Sequence, residues 1–355
     1  MSNAIIDAIS GIFSAAPRWG MHALISAVFL ICTLILRTVD LSNPHTLMVD
    51  EVYYAPAAKS ILEMSGDPNY VHPPLGKVLI ALGIAAFGYN SFGWRIASAV
   101  AGSILVPVTY LFSRRVFGDA VAVLASALLV IDPLAHVMSR VAMLDIFLAL
   151  FVAAAFLAIC YDRPCLSGIA LGLASGVKLV GIFALVGVCT YLICNRKTGK
   201  FFRLLPVASL TFLLALLPVA VSLNSSSFIS SFWFTVNWHL TLDSPHSYAS
   251  PPAGWLVNMV PFPMHSSSGL NITANANPFV YPFALPVAAL LGYRALKRRG
   301  CQPSILPVLW FASVYGLFFA LPRKTQFIFY LLPAVPAISL LTSYGIVQVF
   351  LHLSE

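Results

Sequence analysis

The sequence predicts an all-α polytopic membrane protein. Hydrophobic residues make up 59% of its 355 positions and charged residues only 9%, with a mean hydropathy of +0.89. A water-facing domain carries roughly a quarter charged residues, so this chain lacks the side chains to cover a soluble surface. Apolar runs recur along its whole length at lengths suited to crossing a bilayer.

Ten spans are expected, at about 20–37, 94–112, 119–137, 142–160, 165–178, 180–194, 204–222, 277–293, 303–321 and 326–350. The first run, Met21 to Leu36, is read as a retained span and not a signal peptide, because no small-residue cleavage site follows it. The stretch 165–194 divides into two short spans. Reading it as one would put the basic connectors around Arg196–Lys197 and Lys297–Arg298–Arg299 on the side that the positive-inside rule leaves poor in lysine and arginine.

With the N-terminus inside, two large extracytoplasmic segments remain, 38–93 and 223–276, within a single membrane domain spanning 1–355. The first holds an amphipathic stretch, Val52 to Met64, and a short apolar run, Val78 to Phe87. That run is too short to cross a core of about 30 Å as a helix, so it reads as interfacial or re-entrant. The second is rich in Ser, Asn, Pro and aromatics and carries the sequon Asn271–Ile272–Thr273.

The net charge of +8 does not mark a nucleic-acid surface, because the basic residues fall in connectors between apolar runs. Six cysteines (Cys32, Cys160, Cys165, Cys189, Cys194 and Cys301) show no metal-type pairing. No cofactor is expected. Asp50 with Glu51 is the carboxylate pair on which a divalent ion could sit.

Candidate chemistry gathers in the first loop. Asp50–Glu51 opens the amphipathic stretch, where a carboxylate at the membrane surface could deprotonate a hydroxyl. The same pair could equally cap a helix and favour its positive end. His72–Pro73–Pro74 forces an extended approach to the next helix, and His72 either contacts a ligand or serves a hinge. Arg140 and Asp145 flank a tight connection and could form an ion pair. Arg140, Lys178 and Arg323 all fall near the extracytoplasmic boundary. Together they suit an anionic lipid head group; singly, each could snorkel to the interface.

The order of several fragments resembles the protein O-mannosyltransferase family. These are Asp50–Glu51–Val52–Tyr53–Tyr54–Ala55–Pro56, His72–Pro73–Pro74–Leu75–Gly76–Lys77, Phe92–Gly93–Trp94–Arg95, Ser139–Arg140 through Asp145, Lys178 with Gly181, His246–Ser247–Tyr248, and Arg323–Lys324–Thr325 before Phe329–Tyr330. The resemblance implies a GT-C glycosyltransferase fold, with interfacial helices in a long first extracytoplasmic loop. It also implies a polyprenyl- or dolichyl-phosphate-mannose donor and transfer to Ser or Thr hydroxyls of exported proteins with inversion. Carried over by position, Asp50 would be the base and Glu51 would position loop one or the acceptor. Arg140, with Lys178 and Arg323, would hold the donor phosphate. His72, Arg95, Asp145, His239, His246 and Tyr248 would line acceptor or sugar sites.

Other implications concern context. The shortness of the chain points to a prokaryotic plasma membrane (the endoplasmic reticulum in a eukaryote). Tyr70 stands where eukaryotic relatives carry an acid two positions before His-Pro-Pro, a role Asp67 could take. Two alternatives compete: a GT-C enzyme with a lipid or glycan acceptor, and, more remotely, a transporter, which would place ionisable groups near the bilayer midplane.

Overall fold

The computed structural model describes residues 18–222, 225–297 and 302–353. Arg298, Arg299 and Cys301 lie outside the described residues, so the expected basic run at 297–299 is described only at Lys297.

Helix α1 (Arg18–Thr38) is followed by α2 (Glu51–Leu62) and α3 (Leu75–Phe87), both within the first long loop, and by α4 (Ser91–Phe117). The chain continues through α5 (Asp119–Val130), the short α6 (Pro133–Met138), α7 (Asp145–Cys160) and α8 (Pro164–Val177). Next come α9 (Ile182–Cys194), α10 (Thr198–Ala215), α11 (Leu217–Ser222) and α12 (Ser225–Thr241). After an antiparallel hairpin, β1 (Phe262–Ser267) with β2 (Leu270–Ala274), the last helices are α13 (Ala284–Lys297), α14 (Leu306–Gly316) and α15 (Val335–Leu353). The fold is mainly helical as expected, with the hairpin its one departure among the described residues.

The expected runs become helices, but fewer are long. Five apolar segments reach bilayer-spanning length: Gly20–Thr38, Ser91–Phe117, Thr198–Ala215, Pro303–Ala320 and Ile328–Leu353. Five others, including Asp145–Cys160 and Pro164–Val177, are shorter. The expected count of ten full spans is therefore not reproduced. One cause is that α5 stops at Val130 and α6 starts afresh at Pro133, whose ring fits a helix start. There Asp132 caps α6 by accepting from the Ala135 amide at 2.8 Å.

Apolar on all sides, α7 is the buried centre, packed against α4, α8 and the turn Ile328–Ala334. Against α8 lies α10, and glycine lets the two approach closely. A Cβ on Gly168 would sit 2.7 Å from the Leu204 carbonyl oxygen, and one on Gly172 would sit 2.6 Å from that of Ala208. One on Gly176 would meet the Ala215 side chain at 2.5 Å. This is small-residue packing at four-residue spacing. The partner numbers rise together (168 with 204, 172 with 208, 176 with 215), so α8 and α10 run parallel and α9 must return between them. The division of 165–194 into two segments follows from that.

Candidate active site

The residues implied for chemistry come together at one end of the bundle, where α1, α5 and α8 finish and α7 begins. Glu51 is the first residue of α2 and fully buried. Its Oε1 accepts from Arg95 Nε at 2.8 Å and from the Ala142 amide at 2.8 Å. Its Oε2 accepts from Arg95 Nη2 at 2.9 Å, the Met48 amide at 2.9 Å and Trp94 Nε1 at 3.3 Å. Arg95, equally buried, also donates to the carbonyls of Leu41, Pro44 and Thr46. The pair therefore ties loop one to α4 and to the segment before α7. Arg95 was expected beside an acceptor or sugar. It is enclosed in this clamp instead, and Glu51 with five donors on its two oxygens offers no free face to a metal ion.

Asp50, next door, is arranged differently. Its side chain makes no capping bond, so the cap reading is not realised. Its one hydrogen bond is a long one, received from the Tyr54 hydroxyl at 3.4 Å. Burial raises the Asp50 carboxyl above the usual range. Lys178 opposes that rise, and Asp145 adds to it. A half-buried carboxylate with free lone pairs and a raised proton affinity is suited to taking a proton.

A cavity of about 200 Å³ is lined by His72, Asp145, Lys178, His239, Arg323 and Tyr330 at its polar end. Apolar side chains, among them Leu148, Ile182, Phe183, Val236 and Phe318, form the rest of its wall. Lys178 arrives where α8 has ended, in extended backbone before a 3-10 turn. Its Nζ lies 2.8 and 2.9 Å from the two Asp145 oxygens. Asp145 thus pairs with Lys178 and not with Arg140. Arg323 donates to Thr325 O at 2.6 Å and to the Tyr330 hydroxyl at 2.7 Å. The Tyr330 ring supports both cations, 5.1 Å from Lys178 Nζ and 5.3 Å from the Arg323 guanidinium carbon.

His239 lies on α12, which is sewn to the turn before His-Pro-Pro. Thr235 donates to the Tyr70 carbonyl, and His239 Nε2 bonds the Val71 carbonyl at 2.7 Å. Arg323 Nη1 lies 3.1 Å from His239 Nδ1, and a guanidinium can only donate. The ring therefore carries its hydrogen on Nε2 and is neutral. In agreement, burial lowers its pKa to about 4, with Arg323 and Lys178 adding to the effect. The His72 ring packs against His239 with centroids 4.8 Å apart and planes tilted by 35°, its pKa is lowered chiefly by burial, and its Nδ1 has no partner among the described residues. The loop carrying His72 is held by buried Lys77, which takes the Asp67 carboxylate, the Asn69 carbonyl and, at 2.9 Å, the His72 carbonyl.

The remaining candidates lie elsewhere. Arg140, expected on the donor phosphate with Lys178 and Arg323, does not line this cavity. It donates to the carbonyls of Leu36, Arg37, Val39 and Asp40 at the end of α1. Those carbonyls have no partner within the helix and draw the guanidinium to them. His246 and Tyr248 are exposed, on an aromatic cluster with Phe262 and Phe327, and His246 is close enough to Asp50 to act on its charge. Two residues that sequence reasoning passed over belong here, Tyr54 and Tyr330. Both stand in fragments that carried the resemblance, but a tyrosine in an apolar run reads first as core.

Comparison with solved structures defines the class of protein. ArnT from Cupriavidus metallidurans in the apo state superposes over 91% of this chain and 59% of its own, with a TM-score of 0.67 at 18% identity. Its undecaprenyl-phosphate-bound form gives 0.65. The Archaeoglobus fulgidus oligosaccharyltransferase in the apo form gives 0.57 at 14% identity, over 93% of this chain and 51% of that one. The fold is that of the GT-C membrane glycosyltransferases.

Sequence likeness, over part of the chain, points to a particular family. Residues 71–223 match the family described as dolichyl-phosphate-mannose-protein mannosyltransferase. A polyprenol-phosphate-mannose–protein mannosyltransferase of Mycolicibacterium smegmatis is 39% identical over 163 residues, 43% of this chain and 31% of that protein. An undecaprenyl phosphate-alpha-4-amino-4-deoxy-L-arabinose arabinosyl transferase of Pseudomonas aeruginosa is 31% identical over 224 residues, 57% of this chain and 40% of that protein. These alignments span less than half the length of the curated relatives. The resemblance to the protein O-mannosyltransferases is borne out.

Proposed function

We propose that this chain transfers mannose from a polyprenyl- or dolichyl-phosphate carrier to Ser or Thr hydroxyls of exported proteins, in one inverting displacement. The observation that carries the reading is the cavity itself. An apolar wall ends in two cations, Lys178 and Arg323, with the Asp50 carboxylate within electrostatic reach of Lys178. That is the shape and charge of an amphipathic phosphate carrier with a base beside it.

In this reading Asp50 takes the proton of the acceptor hydroxyl as its oxygen attacks the anomeric carbon. The bond from that carbon to the phosphate oxygen breaks, and its electron pair stays on the phosphate, where Lys178 and Arg323 stabilise it. The donor phosphate is assigned to these two residues without Arg140. Neutral His72 and His239 offer hydrogen bonds to sugar hydroxyls. Loop one, 38–93, is the catalytic loop, and His246 and Tyr248 of the segment 223–276 stand on the acceptor side. The reaction is assigned to the extracytoplasmic face of a prokaryotic plasma membrane.

A lipid or glycan acceptor is the second reading, favoured by the longer match to the Pseudomonas arabinosyl transferase. The test is mannose transfer from polyprenyl-phosphate-mannose to a Ser/Thr-rich peptide by purified protein. Transfer that falls about a hundredfold or more in Asp50→Asn supports both reaction and base. Donor turnover with lipid or glycan but not peptide selects the second reading. No transfer from any polyprenyl-phosphate sugar by folded protein overturns both.

A further inference from the structure

Arg140 borders a second cavity, of about 720 Å³, which shares no lining residue with the one holding Lys178 and Arg323. Met48 and Val141 line this second cavity and Asp145 the first, so the loop-one and 141–145 segments stand between them. Its apolar lining includes Leu36 near the end of α1 and Ile131 just past the end of α5, and its polar lining includes Asn43, Asn271 and Asn275.

Two features point to a ligand. First, the apolar wall opens outward: Ile131 is 71% exposed, Leu36 50% and the neighbouring Val39 62%. Bare aliphatic side chains ringed by polar groups mark a lipid or protein contact, and these stand at the end of membrane helices. Second, a guanidinium borders it, Arg140, with a donor to spare. His136, which also lines the cavity, lies within electrostatic reach of both Arg140 and Arg37, and the buried Arg37 guanidinium has two Nη atoms without a hydrogen-bond partner among the described residues. Asp40 faces Arg140 from the same lining, and Asp132 acts on Arg37. The carbonyls at the end of α1 hold Arg140 by its Nη atoms, while its Nε has no partner among the described residues.

We infer that this cavity is a second lipid site, which takes the anionic phosphodiester headgroup of a membrane phospholipid against Arg140, with an acyl chain lying over Leu36 and Ile131. The inference stands independently of the proposed reaction. The test titrates the detergent-purified full chain with short-chain phosphatidylglycerol, phosphatidylcholine and glycerol 3-phosphate, read by thermal unfolding and native mass spectrometry. One saturable phosphatidylglycerol is expected. Its affinity falls about tenfold in Arg140→Gln, the scale of a lost charged hydrogen bond, and also in Ile131→Glu, but not in Lys178→Gln.

Equal binding of phosphatidylcholine, or of glycerol 3-phosphate alone, overturns the site as an anionic-lipid site. Loss in Lys178→Gln but not in Ile131→Glu moves the lipid to the carrier cavity and overturns it too. Should Arg140→Gln fail to fold, Ile131→Glu decides, because its exposed side chain supports no core.

Discussion

Lys178 Nζ sits 2.8 and 2.9 Å from the two carboxylate oxygens of Asp145, so a cation assigned to the donor phosphate is already neutralised by a buried acid. An arriving phosphate must share that lysine with Asp145 and is repelled by it. Asp145→Asn keeps the shape and removes the competing charge. The expected outcome is tighter binding of the free polyprenyl phosphate together with slower turnover, as product leaves more reluctantly. Product titration and single-turnover kinetics measure the two separately. Weaker product binding would mean that Asp145 serves mainly to hold Lys178 in place.

Glu51 and Arg95 should behave as a structural clamp. Removing one partner of a buried ion pair costs about 3–5 kcal/mol, because the other charge is left uncompensated. Glu51→Leu and Arg95→Met are each expected to lose stability on that scale, and the double variant Glu51→Leu/Arg95→Met to recover part of it. A double-variant cycle by denaturation in detergent checks this. A Glu51→Gln protein of full stability and no activity would instead make Glu51 a participant in the chemistry.

How far the site was legible in the sequence differs residue by residue. Lys178 and Arg323 were found because each borders an apolar run, where an ionisable group needs a reason, Asp50 because it opens an amphipathic stretch, and His72 because it precedes paired prolines. Arg140 satisfies the same criterion, yet its partners are carbonyls at the end of α1, about 100 positions earlier, and backbone acceptors leave no trace in side-chain patterns. The Glu51–Arg95 pairing spans 44 positions for the same lack of signal. The four-residue spacing of Gly168, Gly172 and Gly176 is a sign of close helix contact that the sequence reading passed over, and nothing in it names α10 as the partner. Spans were misjudged in length because hydropathy cannot see a break such as that between Val130 and Pro133, where Asp132 caps the next helix.

The pH dependence should separate Asp50 from the histidines. Burial raises the Asp50 carboxyl, so kcat/KM is expected to rise with pH through an ionisation above the ordinary carboxylate range, and that limb should vanish in the residual activity of Asp50→Asn. His239 acts on stability instead. Its pKa falls from 6.5 unfolded to about 4 folded, so the unfolded chain binds the proton more readily. The stabilisation is complete above about pH 6.5 and is lost as pH falls through 4. His239→Gln can still donate to Val71 and accept from Arg323, and should flatten the loss of thermal stability over that window. An unchanged slope would place the proton uptake on another group.

Lys77 should govern the catalytic loop without touching substrate. Its ammonium is fully buried and draws together the Asp67 carboxylate and the carbonyls of Asn69 and His72, so the path from Asp67 to His72 winds around one charge. Lys77→Met removes all three bonds and strands the Asp67 carboxylate in a dry site. Asp67→Asn removes the charge pair but leaves a side-chain oxygen for the lysine. The first variant is therefore expected to lose turnover about tenfold or more, with protease cleavage appearing within 66–72, because misplacing a positioned group is costly even far from the bond that breaks. Asp67→Asn should lose less, and the double variant Lys77→Met/Asp67→Asn less than Lys77→Met alone, since no buried charge then lacks a partner. If Lys77→Met kept full turnover and protease resistance, the loop would be held by Thr235 and His239 of α12 through their bonds to Tyr70 and Val71, and His72 would not depend on Lys77 for its place.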